Sequence, residues 1–236
     1  MEIRTATDTG LVRENNEDSL WVSSRILVVC DGMGGHVAGE VASSLATEVI
    51  KSFPFTGKDP KGEVLSAVHQ AQERILAEGK NNEAYHGMGS TITLAALSEP
   101  DETGNVVLTV GHVGDSRCYV FSRGSLEQIT SDHSVVAELL RSETITAEEA
   151  RTHPKKHILT QVLGAAEIEV ELVTRTLAPG ALLMLCTDGL TDLVDDSLIE
   201  ETLRQDFYSS NLAQDLVDLA NQSGGVDNIT VIVARI

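Results

Sequence analysis

Aspartates recur along this chain in five short acidic motifs: Asn16-Glu17-Asp18, Asp31-Gly32-Met33-Gly34-Gly35, Gly114-Asp115-Ser116-Arg117, Thr187-Asp188-Gly189 and Asp227-Asn228. Each lies where an apolar run begins or ends, the place at which a strand hands a side chain to a cleft. Carboxylates gathered from distant strands into one pocket repel one another or take up protons unless cations sit among them. A hard, oxygen-liganded centre holding more than one metal ion is the economical reading, and it makes the chain an enzyme candidate.

The glycines after Asp31 let backbone approach a ligand closely. A nucleotide-binding loop is the rival reading. Against it, the Gly-Lys-Ser/Thr ending is missing and the glycine spacing fits no dinucleotide fingerprint. The run from Leu183 to Gly189 repeats the arrangement, an apolar strand ending in Asp-Gly, and Asp227 to Val231 gives it in mirror order. A lone Asp-Gly is ordinarily a turn. Three such aspartates beside the most apolar strands ask for more than turns.

To converge, these residues need strands that end in one place. Ile26 to Cys30 is a continuous apolar run and reads as a strand buried on both faces. Val41, Leu45 and Val49 then mark a helix stopping at Phe53-Pro54, and Val64, Val68, Ala71 and Ile75 a second ending at Gly79. Strands follow at Thr91 to Leu97, Val106 to Val113 and Arg117 to Ser122, the first two joined as a hairpin. Val135 to His157 is polar and helical, with a helix start at Thr146 and a stop at Pro154. Strands return at Glu169 to Thr176 and Ala181 to Cys186. Two helices lie between Asp195 and Gln222, and Ile229 to Ile236 closes the chain. Strands grouped with strands and helices in pairs predict a layered α+β sandwich, not a βαβ fold.

At 236 residues the chain fits one domain, residues 1–236. With 42% hydrophobic but only 3% aromatic residues, its core must be packed by Val, Ile, Leu and Ala. A formal charge of −19 repels nucleic acid and anionic membrane, so neither is expected as a partner. Cys30, Cys118 and Cys186 lie in apolar stretches without CxxC spacing, which excludes a zinc knuckle and argues for packing. On continuous strands Cys30 faces away from Asp31, and Cys186 shares a face with Asp188. The N-terminus shows no leader pattern and no apolar run reaches ~18 residues. A cytoplasmic setting is the default.

The ordered set of motifs resembles the metal-dependent protein Ser/Thr phosphatases of the type 2C (PPM) family. The resemblance runs from Thr7 to the last strand and includes Arg13-x-x-Asn16-Glu17-Asp18, Asp31 to His36, Gly89-Ser90-Thr91, Gly114 to Arg117, Ser131-Asp132-His133-Ser134, Leu163-Gly164, Thr187-Asp188-Gly189 and Asp227-Asn228. Met33 and the short chain look like the bacterial branch. The resemblance implies a four-layer sandwich of two antiparallel sheets flanked by pairs of helices. It further implies that Asp31 bridges two Mn2+ or Mg2+ ions, with the Gly32 carbonyl as a further ligand. Asp188 and Asp227 would complete the first ion, Glu17 and Asp18 would hold metal-bound waters, and Asp115 with Asp188, aided by Asp192, would hold a weaker third ion. Arg13 would grip the substrate phosphate, and Asn228 would support the ligands by hydrogen bonding. An all-oxygen donor set selects Mg2+ or Mn2+ over zinc. Two ions ~3.5–4 Å apart can deprotonate a shared water and aim it at phosphorus, so no protein nucleophile is nominated.

Met33 stands where the animal branch carries a histidine able to protonate the leaving group; His36 is the alternative acid, and metal-bound water an equal one. Val135 to His157 occupies the position of the family's flap, a substrate-choosing element, but lacks its usual glycine and carries His157 and Gln161 in place of commoner residues. The expected activity is hydrolysis of phosphoserine and phosphothreonine on proteins by a monomer, opposing a bacterial Ser/Thr protein kinase. A phosphatase dedicated to one regulator is a variant of it. A catalytically silent pseudophosphatase that binds phosphoproteins is the alternative from another class, though its signature, loss of a metal aspartate or of Arg13, is not present. A metal-buffering acidic protein explains neither Arg13 nor the placing of the aspartates.

Overall fold

The computed structural model describes residues 1–34, 38–205 and 210–236, without the side chains of Ala147 and Arg151. Its strands are β1 (Glu2–Asp8), β2 (Asp18–Val22), β3 (Ile26–Met33), β4 (Gly89–Ser90), β5 (Ile92–Leu97) and β6 (Val106–Val113). After them come β7 (Arg117–Ser122), β8 (Ser125–Gln128), β9 (Glu171–Leu177), β10 (Leu182–Cys186) and β11 (Ile229–Arg235). One sheet has the order β1-β11-β10-β7-β8; the other runs β2-β3-β5-β6-β9 with β4 paired onto the end of β3. All of these pairings are antiparallel.

Alternation along the strands builds three cores from two sheets. Leu27 and Val29 of β3 join Leu108, Val110, Leu183, Leu185 and Ile232 in the layer between the sheets. Val28 and Cys30 point the other way, toward helices α1 (Ala38–Ser52) and α2 (Pro60–Asn81). On the second sheet Tyr119, Met184, Cys186 and Val231 face outward to α6 (Asp196–Gln205) and α7 (Leu212–Gln222), together with Leu190 of a short α5 (Asp188–Thr191). The result is the helix–sheet–sheet–helix sandwich that the family resemblance implies. Each fully buried leucine contributes ~1.5–3 kcal/mol, and Leu27, Leu94, Leu108, Leu182, Leu183 and Leu185 are all of this kind.

Several elements differ from the sequence expectation. The edge strands β1 and β2 and the short β8 are not anticipated, because they are mostly half-exposed and carry no apolar alternation of their own. α2 runs past Gly79 to Asn81, where the Asn82 N–H bonds the Glu78 carbonyl. The polar stretch from Val135 holds two short helices, α3 (Val135–Arg141) and α4 (Ala147–Arg151), the latter with the reciprocal Thr146/Glu149 cap. Cys186 and Asp188 do not share a strand face, since the strand stops at Cys186 and Asp188 opens α5. That turn separates Asp188 from the outer core that Cys186 occupies.

Candidate metal centre

Five of the sequence-nominated aspartates meet where the two sheets end. Asp31 lies near the end of β3 with the strand parity of Leu27 and Val29, so it continues the inter-sheet layer beyond its apolar part. Asp18 opens β2 and is the direct cross-strand partner of Asp31. Asp188 arrives from the other sheet through the β10–α5 turn, and Asp31 and Asp188 come within hydrogen-bonding reach of each other. Asp227 precedes β11, and Asp115 sits in the β6–β7 turn, facing Asp188 and Asp192.

Hydroxyls and one amide hold these residues in place. The Asp31 N–H donates to Thr91 Oγ1 at 2.9 Å while the Thr91 N–H donates to the Asp31 carbonyl at 2.9 Å. That exchange replaces one carbonyl of the ladder by a side chain, which interrupts the strand between β4 and β5. Thr91 Oγ1 also lies 2.7 Å from Ser116 Oγ, tying Asp31 to the Asp115 turn. Gly114 takes a φ of +113°, and a Cβ there would meet Thr91 Cγ2 at 2.6 Å. Thr187 Oγ1 donates to Asp18 Oδ2 at 2.8 Å and accepts the Thr230 N–H at 2.9 Å, bridging the two sheets. Asn228 donates through Nδ2 to the carbonyls of Thr9 and Asn15, both at 2.9 Å, and accepts the Glu17 N–H at 2.8 Å. It thereby fastens the segment carrying Arg13 and Glu17 to the start of β11. Arg13 Nη2 donates to Asp227 Oδ2 at 2.7 Å, half-exposed at the rim.

The pocket is short of positive charge. Burial first, then the charges of Asp188, Asp18 and Asp115, holds Asp31 well above the usual carboxylate range. Burial and the neighbouring Asp188 and Asp227 push Asp18 up to about 7, against the pull of the Thr230 and Thr187 hydrogen bonds. Asp188 is pushed up to about 6 by burial, Asp192 and Asp227. Asp115 is raised by burial, then by Asp188, Asp132 and Asp192. Asp18 Oδ1 and Asp188 Oδ1 are buried with no hydrogen-bond partner among the described residues. Orphaned carboxylate oxygens in an all-oxygen pocket fit divalent Mg2+ or Mn2+.

Glu17 stands at the edge, its carboxylate raised chiefly by burial. Its carbonyl accepts from Gly32 N at 3.1 Å and from Ser43 Oγ at 2.6 Å. The Gly32 backbone touches that of Gly39 in α1, since a Cβ on Gly32 would stand 2.1 Å from the Gly39 carbonyl oxygen. Asp192 receives Lys156 Nζ at 3.1 Å and has His157 Nδ1 at 3.6 Å, and with Asp188 and His157 it forms a group whose ligand atoms lie within 4.8 Å of one another. The sequence marks His157 only as a departure in the flap segment, without its place beside Asp192, and gives no sign of Lys156. His36 lies outside the described residues.

A second group, His112, His133 and Glu171, also brings its ligand atoms within 4.8 Å. The hydrogen bonds of His133 argue against its serving as a ligand. His133 Nδ1 accepts the Gly114 N–H at 3.2 Å, so its other nitrogen carries the hydrogen and cannot ligate. Thr93 Oγ1 donates to the Ser116 carbonyl and therefore accepts from His112 Nδ1, at 2.9 Å each. Burial, with His133 beside it, pushes His112 down to about 3, so it is neutral. The His133 backbone N–H also donates to the Gly114 carbonyl at 2.8 Å, so this residue holds the Asp115 turn from both sides.

A carboxylate pocket at the mouth between two antiparallel sheets, flanked by helices, defines a class of α+β sandwich with a site suited to divalent cations. Residues 12–222 match the family described as Protein phosphatase 2C, and the chain belongs to that family. It is 40% identical over 235 residues to the serine/threonine protein phosphatase PstP of Mycobacterium tuberculosis, an alignment covering 98% of this chain but 44% of PstP. The chain thus spans less than half the length of that relative. The serine/threonine phosphatase stp of Listeria monocytogenes is 33% identical over 247 residues, covering 100% of this chain and 96% of its own. The crystal structure of M. tuberculosis PstP superposes with a TM-score of 0.92 at 37% identity, covering 100% of this chain and 98% of that one. The PstP catalytic domain solved with two manganese ions gives 0.89 at 37% identity, covering 99% and 97%.

Proposed function

We propose that this chain is a metal-dependent phosphatase that hydrolyses phosphoserine and phosphothreonine on proteins and so opposes a Ser/Thr protein kinase. The observation that carries the reading is the convergence of Asp18, Asp31, Asp115, Asp188 and Asp227, with orphaned oxygens on two of them, beside an arginine at the rim. In this reading Asp31, Asp188 and Asp227, with the Gly32 carbonyl, hold two Mn2+ or Mg2+ ions, and Glu17 and Asp18 back them. When bound, such ions acidify and orient water for in-line attack on phosphorus and neutralise the charge that develops there.

The chain's own groups do the rest. Arg13 spends one of its five donors on Asp227, which fixes its direction, and offers others to phosphoryl oxygens. Asn228 keeps Arg13 in register with Asp227 by clamping the backbone on either side of it. Asp115, Asp188 and Asp192 would hold a weaker third ion, for which the Lys156 ammonium on Asp192 is a competitor. Residues 135–157 would act as the flap of a single catalytic domain over 1–236; Lys156 and His157 at its end reach Asp192. No helix among the described residues is long and apolar enough to cross a membrane. A cytoplasmic monomer is the setting we assign, in keeping with three unpaired buried cysteines.

The test is phosphate release from a phosphothreonine peptide with Mn2+ titrated from zero and Asp31→Asn alongside. Strict metal dependence lost in the variant is expected. Peptide binding without turnover in either metal would overturn the reading in favour of a phosphoprotein-binding module.

A further inference from the structure

Three of the nine large apolar side chains exposed among the described residues sit together beside Arg13: Leu11 at 69%, Val12 at 66% and Val226 at 49% exposure. Single exposed apolar residues need no explanation, but a cluster does. Here the fold puts it together. Leu11 N donates to the Gly225 carbonyl at 2.7 Å, and Arg13 reaches Asp227 at 2.7 Å, so residues 11–13 lie along residues 225–227. Gly10 permits this approach: it takes a φ of +77°, and a Cβ there would meet the Asp227 carbonyl oxygen at 2.2 Å. Leu11 packs over Gly225, where an added Cβ would lie 2.8 Å from Leu11 Cγ. The clamp that aims Arg13 therefore also presents Leu11, Val12 and Val226 to solvent.

We propose that Leu11, Val12 and Val226 form a seat for apolar side chains flanking the phosphorylated residue of a substrate, so that this enzyme prefers apolar to polar phosphosite surroundings. The proposal rests on the phosphatase reading and adds its substrate class. A phosphoresidue held on Arg13 brings its chain neighbours past this patch, because each residue of an extended peptide advances at most ~3.6 Å and Val12 and Leu11 are one and two residues from Arg13. Acidic flanks are disfavoured at the same place, since Glu17 lies close enough to act on the charge of Arg13, on a chain of formal charge −19. The apolar flank is matched by the exposed apolar side chains themselves, Leu11, Val12 and Val226.

The experiment compares kcat/KM on two phosphothreonine peptides that differ only in having leucines or serines on both sides of the phosphoresidue. p-Nitrophenyl phosphate, which has no flanks, reports the chemistry separately. The wild type should favour the leucine peptide by about tenfold, the worth of partly burying one large apolar side chain. In Leu11→Ser and in Val226→Ser that ratio should fall toward one while both variants still turn over p-nitrophenyl phosphate. Equal rates on the two peptides by the wild type would overturn the seat and leave the phosphatase standing, and this arm needs no variant to fold. Self-association of the wild type that Leu11→Ser abolishes would assign the patch to a second copy and overturn it too. Failure on all three substrates with Mn2+ present would instead sink the phosphatase reading beneath it.

Discussion

Stripping divalent cations should make the stability of this protein fall as pH rises, and the pocket sets the size of the fall. Asp188 titrates at about 6 and Asp18 at about 7, against 3.8 for an ordinary aspartate. The folded state holds these protons more tightly than the unfolded chain. Their stabilising contribution is therefore complete below about pH 4 and is lost as pH climbs through 6 to 7. A displacement of ~3 pH units for Asp18 corresponds to ~4 kcal/mol; Asp188 shares the same neighbours, so the larger figure alone is used. For a chain of this length ~4 kcal/mol is ~8–16 °C in melting temperature. Saturating Mn2+ replaces the missing protons, so it should raise the melting temperature strongly at about pH 7.5 and little at about pH 5. Thermal unfolding followed by far-UV circular dichroism, in chelator and in Mn2+, reads both slopes. The chain's overall negative charge pushes in the same direction, and Asp188→Asn separates the two: it changes the total by one charge yet should stabilise the cation-free protein at pH 7.5. Equal stabilisation by Mn2+ at both pH values, or no gain from Asp188→Asn, would refute the reasoning.

Three further outcomes are expected. Arg13→Ala should lower kcat/KM on phosphopeptides by about ten- to a hundredfold, the worth of charge-assisted hydrogen bonds to phosphate, with Arg13→Lys recovering only part; steady-state kinetics checks this. Asn228→Ala strands the Thr9 and Asn15 carbonyls and the Glu17 N–H, and should cost about 3 kcal/mol in denaturant unfolding. His133→Ala removes the imidazole that accepts the Gly114 N–H beside Asp115, leaving only the backbone half of the grip. Isothermal titration should then show the weakest Mn2+ site loosened while the tighter sites keep their affinity; uniform loss across all sites would mean general destabilisation.

The layered fold was legible because its inner strands are nearly pure apolar runs, as Ile26 to Cys30 and Leu182 to Cys186 are, and burial on both faces leaves that signature. The edge strands β1 and β2 escaped for the converse reason: half-exposed on each face, Glu2 to Asp8 and Asp18 to Val22 carry mixed composition. Asp18 could be nominated from its motif, but not as the cross-strand partner of Asp31, since pairing across an unforeseen strand has no local trace. Thr91 and Thr187 were visible only as members of motifs, and His133 as a hydrogen-bonding turn residue without its partner. Their hydrogen bonds join segments far apart in the chain, and such contacts are set by topology. The reach of Lys156 and His157 to Asp192 depends on how residues 135–157 fold back, which a polar stretch with one cap does not encode.

The place of β11 in its sheet has a consequence for how the molecule comes into being. Residues 229–235 form an inner strand, flanked by β1 from the beginning of the chain and by β10. On a ribosome, β1 is therefore made long before β11 and must wait for all the elements between them to emerge before its neighbour exists. Until then Arg13 has no Asp227 to align it, and Thr187 Oγ1 has no Thr230 N–H to accept. Pairing of such sequence-distant segments is slow as well as late. The pocket thus cannot assemble before β11 has been made, and its chemistry is withheld until then by the order of translation itself.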